Sequence, residues 1–234
     1  MRAAQTKKAG LSLKAIARLP VICALIAFFI FPIMLSAQSR VLQSNDLQSN
    51  DLLTRIWEGV GQAQKKYTSM CGMITETRTS KLMAKPLVLH GKFCAQGMNR
   101  FALEYIEPSS MRIRVNDNYV NVTSGSRTEV TDIGKSVHRA ESYFGRENSL
   151  GNVKKNFTVT VQEDGGDYRM KLVPRTNTFR DKLNYLIIKL DKRDFLLHSL
   201  QVDGKSGVNS VFLIDINSMN PKIPPDMFEV YKPR

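Results

Sequence analysis

The residues able to do acid–base or covalent chemistry are few and scattered. The three histidines, His90, His138 and His198, lie far apart, and none belongs to a His-x-x-x-His or His-Glu pairing that would hold a metal or relay a proton. No Gly-x-Ser-x-Gly elbow presents a nucleophilic serine, and Ser124-Gly125-Ser126 reads as a turn. Carboxylates are abundant, but exposed strand faces and turns supply them without catalysis. No Gly-x-x-x-x-Gly-Lys run is present to cradle a nucleotide phosphate. These patterns point away from an enzyme and call for no cofactor and no metal.

One covalent reaction does have both partners. If residues 68–79 and 86–95 form a hairpin turning near Leu82-Met83, facing residues have numbers that sum to 165, and Cys71 and Cys94 satisfy this. In an oxidising compartment that register predicts a cross-strand disulfide, Cys71–Cys94. The alternative is two separately buried thiols; neither cysteine has the spacing of a zinc ligand.

The compartment follows from the first forty residues. Arg2, Lys7, Lys8, Lys14 and Arg18 form a basic start with no acid, and Leu19–Ser39 carries no charge. Val21–Leu35 is almost wholly apolar, Pro32 breaks it, and Leu35-Ser36-Ala37 offers a small residue for cleavage. A basic region, an apolar core and a small-residue exit predict a secretory signal peptide over 1–37. The second reading is an uncleaved inner-membrane anchor, because the charge-free run approaches the length that spans a bilayer. Cys23 follows the bulky Ile22 and is not expected to be lipidated.

Loss of residues 1–37 removes five basic residues and no acidic one, so the net charge falls from +13 to +8. Basic and acidic residues then alternate with no polybasic run, which argues against nucleic acid as a partner and leaves attraction to an anionic membrane open.

The body of the chain changes period once. Residues 38–50 are polar and read as a linker. From Asp51 to Lys66, Leu52, Leu53, Ile56, Trp57, Val60 and Ala63 recur at three- and four-residue steps, as in a one-sided helix. Gly59 and Gly61 weaken it by about 1 kcal/mol each relative to alanine, so it needs something to pack on. After Tyr67 the period becomes two: Phe101, Leu103 and Tyr105 alternate with polar residues, as do Met111, Ile113 and Val115. Turn signals such as Glu107-Pro108-Ser109 and Asp164-Gly165-Gly166 punctuate about eleven strands of an antiparallel meander. The strands after 180 are expected over Leu183–Leu190, Phe195–Val202 and Val208–Ile216. Gly134–Asn156, with Val137, Tyr143, Phe144 and Leu150, lacks the strand period and reads as a lid or short helices. A sheet this long must close, split or curl around something. The 51–66 helix and the 134–156 insertion are the segments able to fill it.

The order of motifs resembles the LolA family, periplasmic carriers of outer-membrane lipoproteins. It runs from the amphipathic helix to Gly91-Lys92-Phe93, then Asn99-Arg100-Phe101-Ala102-Leu103-Glu104-Tyr105-Ile106-Glu107-Pro108. It ends in Gly207, Phe212 and Asn220-Pro221-Lys222-Ile223-Pro224-Pro225-Asp226-Met227-Phe228. The resemblance implies one LolA-like domain over 51–234, mainly β with helices (α+β), whose curled antiparallel sheet forms an unclosed barrel lidded by the N-terminal helix and the insertion. It also implies reversible binding of acyl chains of lipoproteins or lipids, loading from an inner-membrane lipoprotein-release transporter, delivery to an outer-membrane acceptor, and a monomer in the periplasm. A sensor of lipid or envelope stress, or a free-lipid transporter, is the other function such a fold supports. The family places an arginine ahead of the Phe-led strand; here that stretch reads Ala95-Gln96-Gly97-Met98, with Arg100 three places on.

On this reading Phe93, Phe101, Leu103, Tyr105, Met111 and Ile113 line the lipid cavity, with Trp57, Tyr143 and Phe144 as lid residues. Mature-chain methionines at 70, 73, 83, 98, 111, 170, 219 and 227 suit an adaptable apolar surface. Leu103→Glu is then expected to abolish lipid binding in a chain that still folds.

Overall fold

The computed structural model describes residues 44–97, 99–108, 110–117, 119–132 and 149–231. The segment expected to act as signal peptide, and Tyr143 and Phe144 of the expected lid, lie outside them. No helix among the described residues is long and apolar enough to cross a membrane.

Helix α1 (Ser44–Lys66) leads into strands β1 (Ser69–Ser80), β2 (Leu87–Gln96), β3 (Arg100–Glu107), β4 (Met111–Asn116), β5 (Tyr119–Ser124) and β6 (Arg127–Asp132). After helix α2 (Ser149–Asn156) come β7 (Phe157–Asp164), β8 (Asp167–Pro174), the single-turn helix α3 (Asn177–Arg180), β9 (Leu183–Asp191), β10 (Leu197–Gly204) and β11 (Val208–Met219). All eleven strands form one antiparallel sheet in the order β6-β5-β4-β3-β2-β1-β11-β10-β9-β8-β7. Two meanders are thus joined side by side along β1 and β11. The sheet does not close, and β6 and β7 are its two edges.

Alternation decides which face holds the core. Ile74 on β1, Leu89 and Phe93 on β2, Leu103 on β3, Ile113 on β4, Leu172 on β8, Ile188 on β9, Leu200 on β10 and Phe212 on β11 are all buried and belong to one continuous cluster. Helix α1 lies in that concave face with Leu53, Ile56 and Val60 buried in the same cluster. Those positions repeat at three- and four-residue steps, so the stripe that predicts the helix is the stripe that fills the sheet.

The helix begins at Ser44, seven residues before its expected start at Asp51, within the expected linker. In its second turn Lys154 Nζ on α2 donates to Asn50 Oδ1 at 2.8 Å.

On the convex face, β1 and β2 pair in the register that sets Cys71 opposite Cys94, and the two are joined by a disulfide. It closes a loop of 23 residues' separation. Cross-links of that span stabilise by about 3 kcal/mol, so reduction should lower the melting temperature by roughly 6–12 °C. Thermal melts with and without reductant test this; unchanged melting, or two free thiols by non-reducing mass analysis, would contradict it.

The C-terminal segment also ties down the elements. Asn220, at φ 53°, donates from Nδ2 to the carbonyl of Lys66 at the end of α1 (3.0 Å) and accepts at Oδ1 from the Thr68 amide (2.8 Å). Beyond it, the 3-10 turn Pro225–Phe228 lies against β3 and β4 and buries Phe228.

Candidate functional site

Between the C-terminal half of α1 and the concave face is a shallow, partly open cleft. Met70 of β1, Phe93 of β2, Phe101 of β3 and Ile214 and Ile216 of β11 form its floor. Val60, Ala63 and Gln64 of α1 form the roof, and Phe195 and Leu196 of the β9–β10 connection, with Leu197 at the start of β10, form a side wall. Gln64 is the one polar residue among these, so the cleft offers apolar contact and almost no directional polar recognition. The space in it that a water-sized sphere can occupy is about 40 Å³, so a guest larger than a few atoms enters only if roof and wall move apart.

All six expected cavity residues share the concave face and are buried. Phe93 and Phe101 reach the cleft, their ring centroids 6.2 Å apart. Leu103, Tyr105, Met111 and Ile113 sit farther along the face, in the packed core. Trp57 is partly buried against that core.

The placement of Leu103 changes what a substitution there would do. It is 2% exposed and pairs with Phe93 and Ile113 across its two neighbouring strands. A carboxylate at that position has no partner and no water. Leu103→Glu should therefore unfold the protein, not yield a folded non-binder. Loss of the cooperative melt would support this, and a native-like melt would contradict it.

Sequence patterning missed the side wall. Phe195 was expected to open a strand; instead it adopts φ 59°, and β10 begins at Leu197. Its ring packs on the helix backbone where Gly59 leaves a notch: a Cβ at Gly59 would lie 2.3 Å from the ring. The other side of Phe195 stacks on Tyr168, centroids 5.6 Å apart. The mid-helix glycine that weakens α1 as a helix is thus what lets this wall approach it.

The connection is shaped by its own acids. Asp191 accepts from the side chain and backbone of Arg193, and these bonds hold its carboxyl down to about 2 from an ordinary 3.8. A depressed carboxyl stabilises above its unfolded value, so this tether is complete above about 3.8 and is lost as pH falls toward 2. The Asp194 carboxylate accepts from the Leu196 amide at 2.9 Å.

Farther in, the concave face carries a polar cluster. Glu76 on β1 is 1% exposed. Its Oε1 accepts from Arg78 Nε (3.0 Å), Arg78 Nη2 (2.8 Å) and Ser210 Oγ (2.8 Å). Its Oε2 accepts from Tyr105 Oη (2.6 Å) and Arg78 Nη2 (3.0 Å). The signal for this cluster was strand parity, since Glu76 and Arg78 follow Met70, Gly72 and Ile74 at even steps. Among the described residues no group of three or more His, Cys, Asp or Glu side chains could hold a metal ion.

No protein-family model matches the chain, and no curated protein matches it in sequence. Among solved structures it is similar to a LolA superfamily protein of Nitrosomonas europaea, at 10% identity over 76% of this chain and 97% of that one, with a TM-score of 0.37. It is similar to the lipoprotein LppX of Mycobacterium tuberculosis at 9% identity over 75% of this chain and 99% of that one, with a TM-score of 0.43. A third similar structure is the MucA/MucB complex of Pseudomonas aeruginosa, at 12% identity over 79% of this chain and 61% of that one, with a TM-score of 0.44. At these identities the likeness is one of fold alone.

Proposed function

We propose that this protein is a non-enzymatic carrier that takes acyl chains of lipoproteins into the cleft beneath α1 and shuttles them through the periplasm between the inner and outer membranes. The observation that carries this reading is the cleft itself, an apolar recess between a helix and an unclosed sheet. Each buried methylene contributes about 0.8 kcal/mol, so an acylated protein leaves a bilayer only for an equally apolar host. The roof and wall are held at their rims by exposed contacts. Arg55 of α1 and Lys192 of the β9–β10 connection both pair with Glu163 of β7, at 3.4 and 2.7 Å. Such solvent-screened pairs are weak, so what a guest must displace is chiefly the apolar packing of Val60 and Phe195 over the floor, while the sheet stays whole.

The motif order that resembles the LolA family supports lipoproteins as the cargo. Delivery then needs a releasing transporter in the inner membrane and an acceptor in the outer one, because the chain has no phosphate-cradling motif with which to use ATP. The test is a release assay. Inner-membrane vesicles bearing an acylated lipoprotein and its ATP-driven release machinery are incubated with the purified mature chain. The expected result is a soluble complex that does not form with a non-acylated cargo. No release beside a working positive carrier would overturn the carrier role and favour a free-lipid transporter or a lipid sensor acting through a protein partner.

A further inference from the structure

Register places the polar cluster directly behind the cleft. Ile214, which lines the floor, pairs with Ile74, and the next inward-facing positions on the same two strands are Phe212 and Glu76, which also pair. One step farther, Ser210 pairs with Arg78. On the other side Ile74 pairs with Gly91, which pairs with Tyr105. An alkyl chain that follows the floor past Ile214 therefore meets the Glu76 carboxylate and its Tyr105 and Ser210 donors about 7 Å on, the length of two strand residues. Beside it stands the buried ring of Phe212, so the carboxylate and its donors are the polar break in an otherwise apolar path.

The cluster is closed to competition. Both carboxylate oxygens are saturated by Arg78, Tyr105 and Ser210, and Glu76 is buried while the Arg78 side chain is 16% exposed. A methylene pushed into this group gains no water-exclusion energy and displaces hydrogen bonds that a hydrocarbon cannot replace. A buried ion pair of this kind adds little stability over apolar residues of similar volume.

We propose that the Glu76–Arg78–Tyr105–Ser210 cluster is the polar stop that fixes how deep an acyl chain enters, and so sets the chain length the cleft prefers. This rests on the reading of the cleft as an acyl site, and the experiment separates the two. Binding of saturated fatty acids from octanoate to stearate is measured by titration calorimetry on the purified mature chain. In the wild type, affinity rises with length to a plateau. In the double variant Glu76→Leu/Arg78→Met the plateau moves to longer chains, and each two further methylenes accommodated raise affinity about tenfold. In Ile214→Phe, which fills the floor ahead of the cluster and leaves its charges intact, the plateau moves to shorter chains; this variant carries the test if the double variant does not fold. Binding with an unmoved plateau in the folded variants overturns the stop while leaving the acyl site standing. Failure of the wild type to bind any chain overturns the acyl site, and the stop with it.

Discussion

Glu76→Ala should cost about 3–5 kcal/mol of stability, whereas Glu76→Leu combined with Arg78→Met should cost far less than that. The single change leaves the Arg78 guanidinium without its counter-charge in a face otherwise built from Ile74, Leu89 and Phe212, and strips the acceptor from Tyr105 and Ser210. The double change removes both charges together and returns the face to hydrocarbon. For a chain of this size the single variant should melt roughly 10 °C or more below the wild type. Urea unfolding of the wild type, Glu76→Leu, Arg78→Met and the double variant completes the cycle, with Glu76→Ala measured beside them. A Glu76→Ala cost under about 1 kcal/mol would mean that the pair is solvated and its placement in the core is wrong.

Gly72→Ala is the second large effect, and its cause is backbone. A Cβ at Gly72 would lie 2.1 Å from the carbonyl oxygen of Asp215 and 3.0 Å from Cα of Ile216, both on β11. Neither can swing aside as a side chain can. The register of β1 on β11 shifts between Cys71 and Gly72, and this seam is what joins the two meanders. Forcing it apart should cost about 3 kcal/mol, at the upper end of what overpacking usually does. Gly151→Ala is the control: nothing lies within 4 Å of its added Cβ, and it should be neutral or stabilise α2 by up to about 1 kcal/mol. Chemical denaturation of the two variants side by side checks both. A Gly72→Ala protein as stable as Gly151→Ala would contradict the close approach at the seam.

Much of this architecture can be read from local sequence because the contacts that make it are local. The β1–β2 hairpin follows from one turn, and every pair along it, from Ser69 with Gln96 to Arg78 with Leu87, obeys the same sum as Cys71 with Cys94. Period-two patterning likewise places Phe101, Leu103 and Tyr105 on one face, because the strand pleat allows nothing else. What patterning cannot supply is which strands meet at long range. The pairing of β1 with β11 joins residues about 150 positions apart, such as Met70 with Met219, and no turn records it. For the same reason patterning could not separate cleft from core: Phe93 and Leu103 alternate identically, and only the position of α1 and Phe195 over the sheet leaves the first beside a space and the second packed solid. Helix α1 starts before the apolar stripe does: Leu47 is the one apolar residue over 44–50, so periodicity has nothing there to mark, and the contact of Asn50 with Lys154 is more than a hundred residues away. The 134–156 insertion is described only from Ser149, where it forms α2. Its expected lid residues Tyr143 and Phe144 lie outside the described residues.

The most direct test of the acyl site is to see where an acyl chain goes. The purified protein would be irradiated with a photoactivatable fatty acid bearing a diazirine near its methyl end, digested, and the labelled residues mapped by mass spectrometry. The account predicts labelling, competed by unlabelled fatty acid, at Met70, Phe93, Phe101, Ile214 and Ile216 under α1. Labelling instead at the exposed apolar residues Met73, Val88 and Leu213, or no competed labelling anywhere, would contradict it.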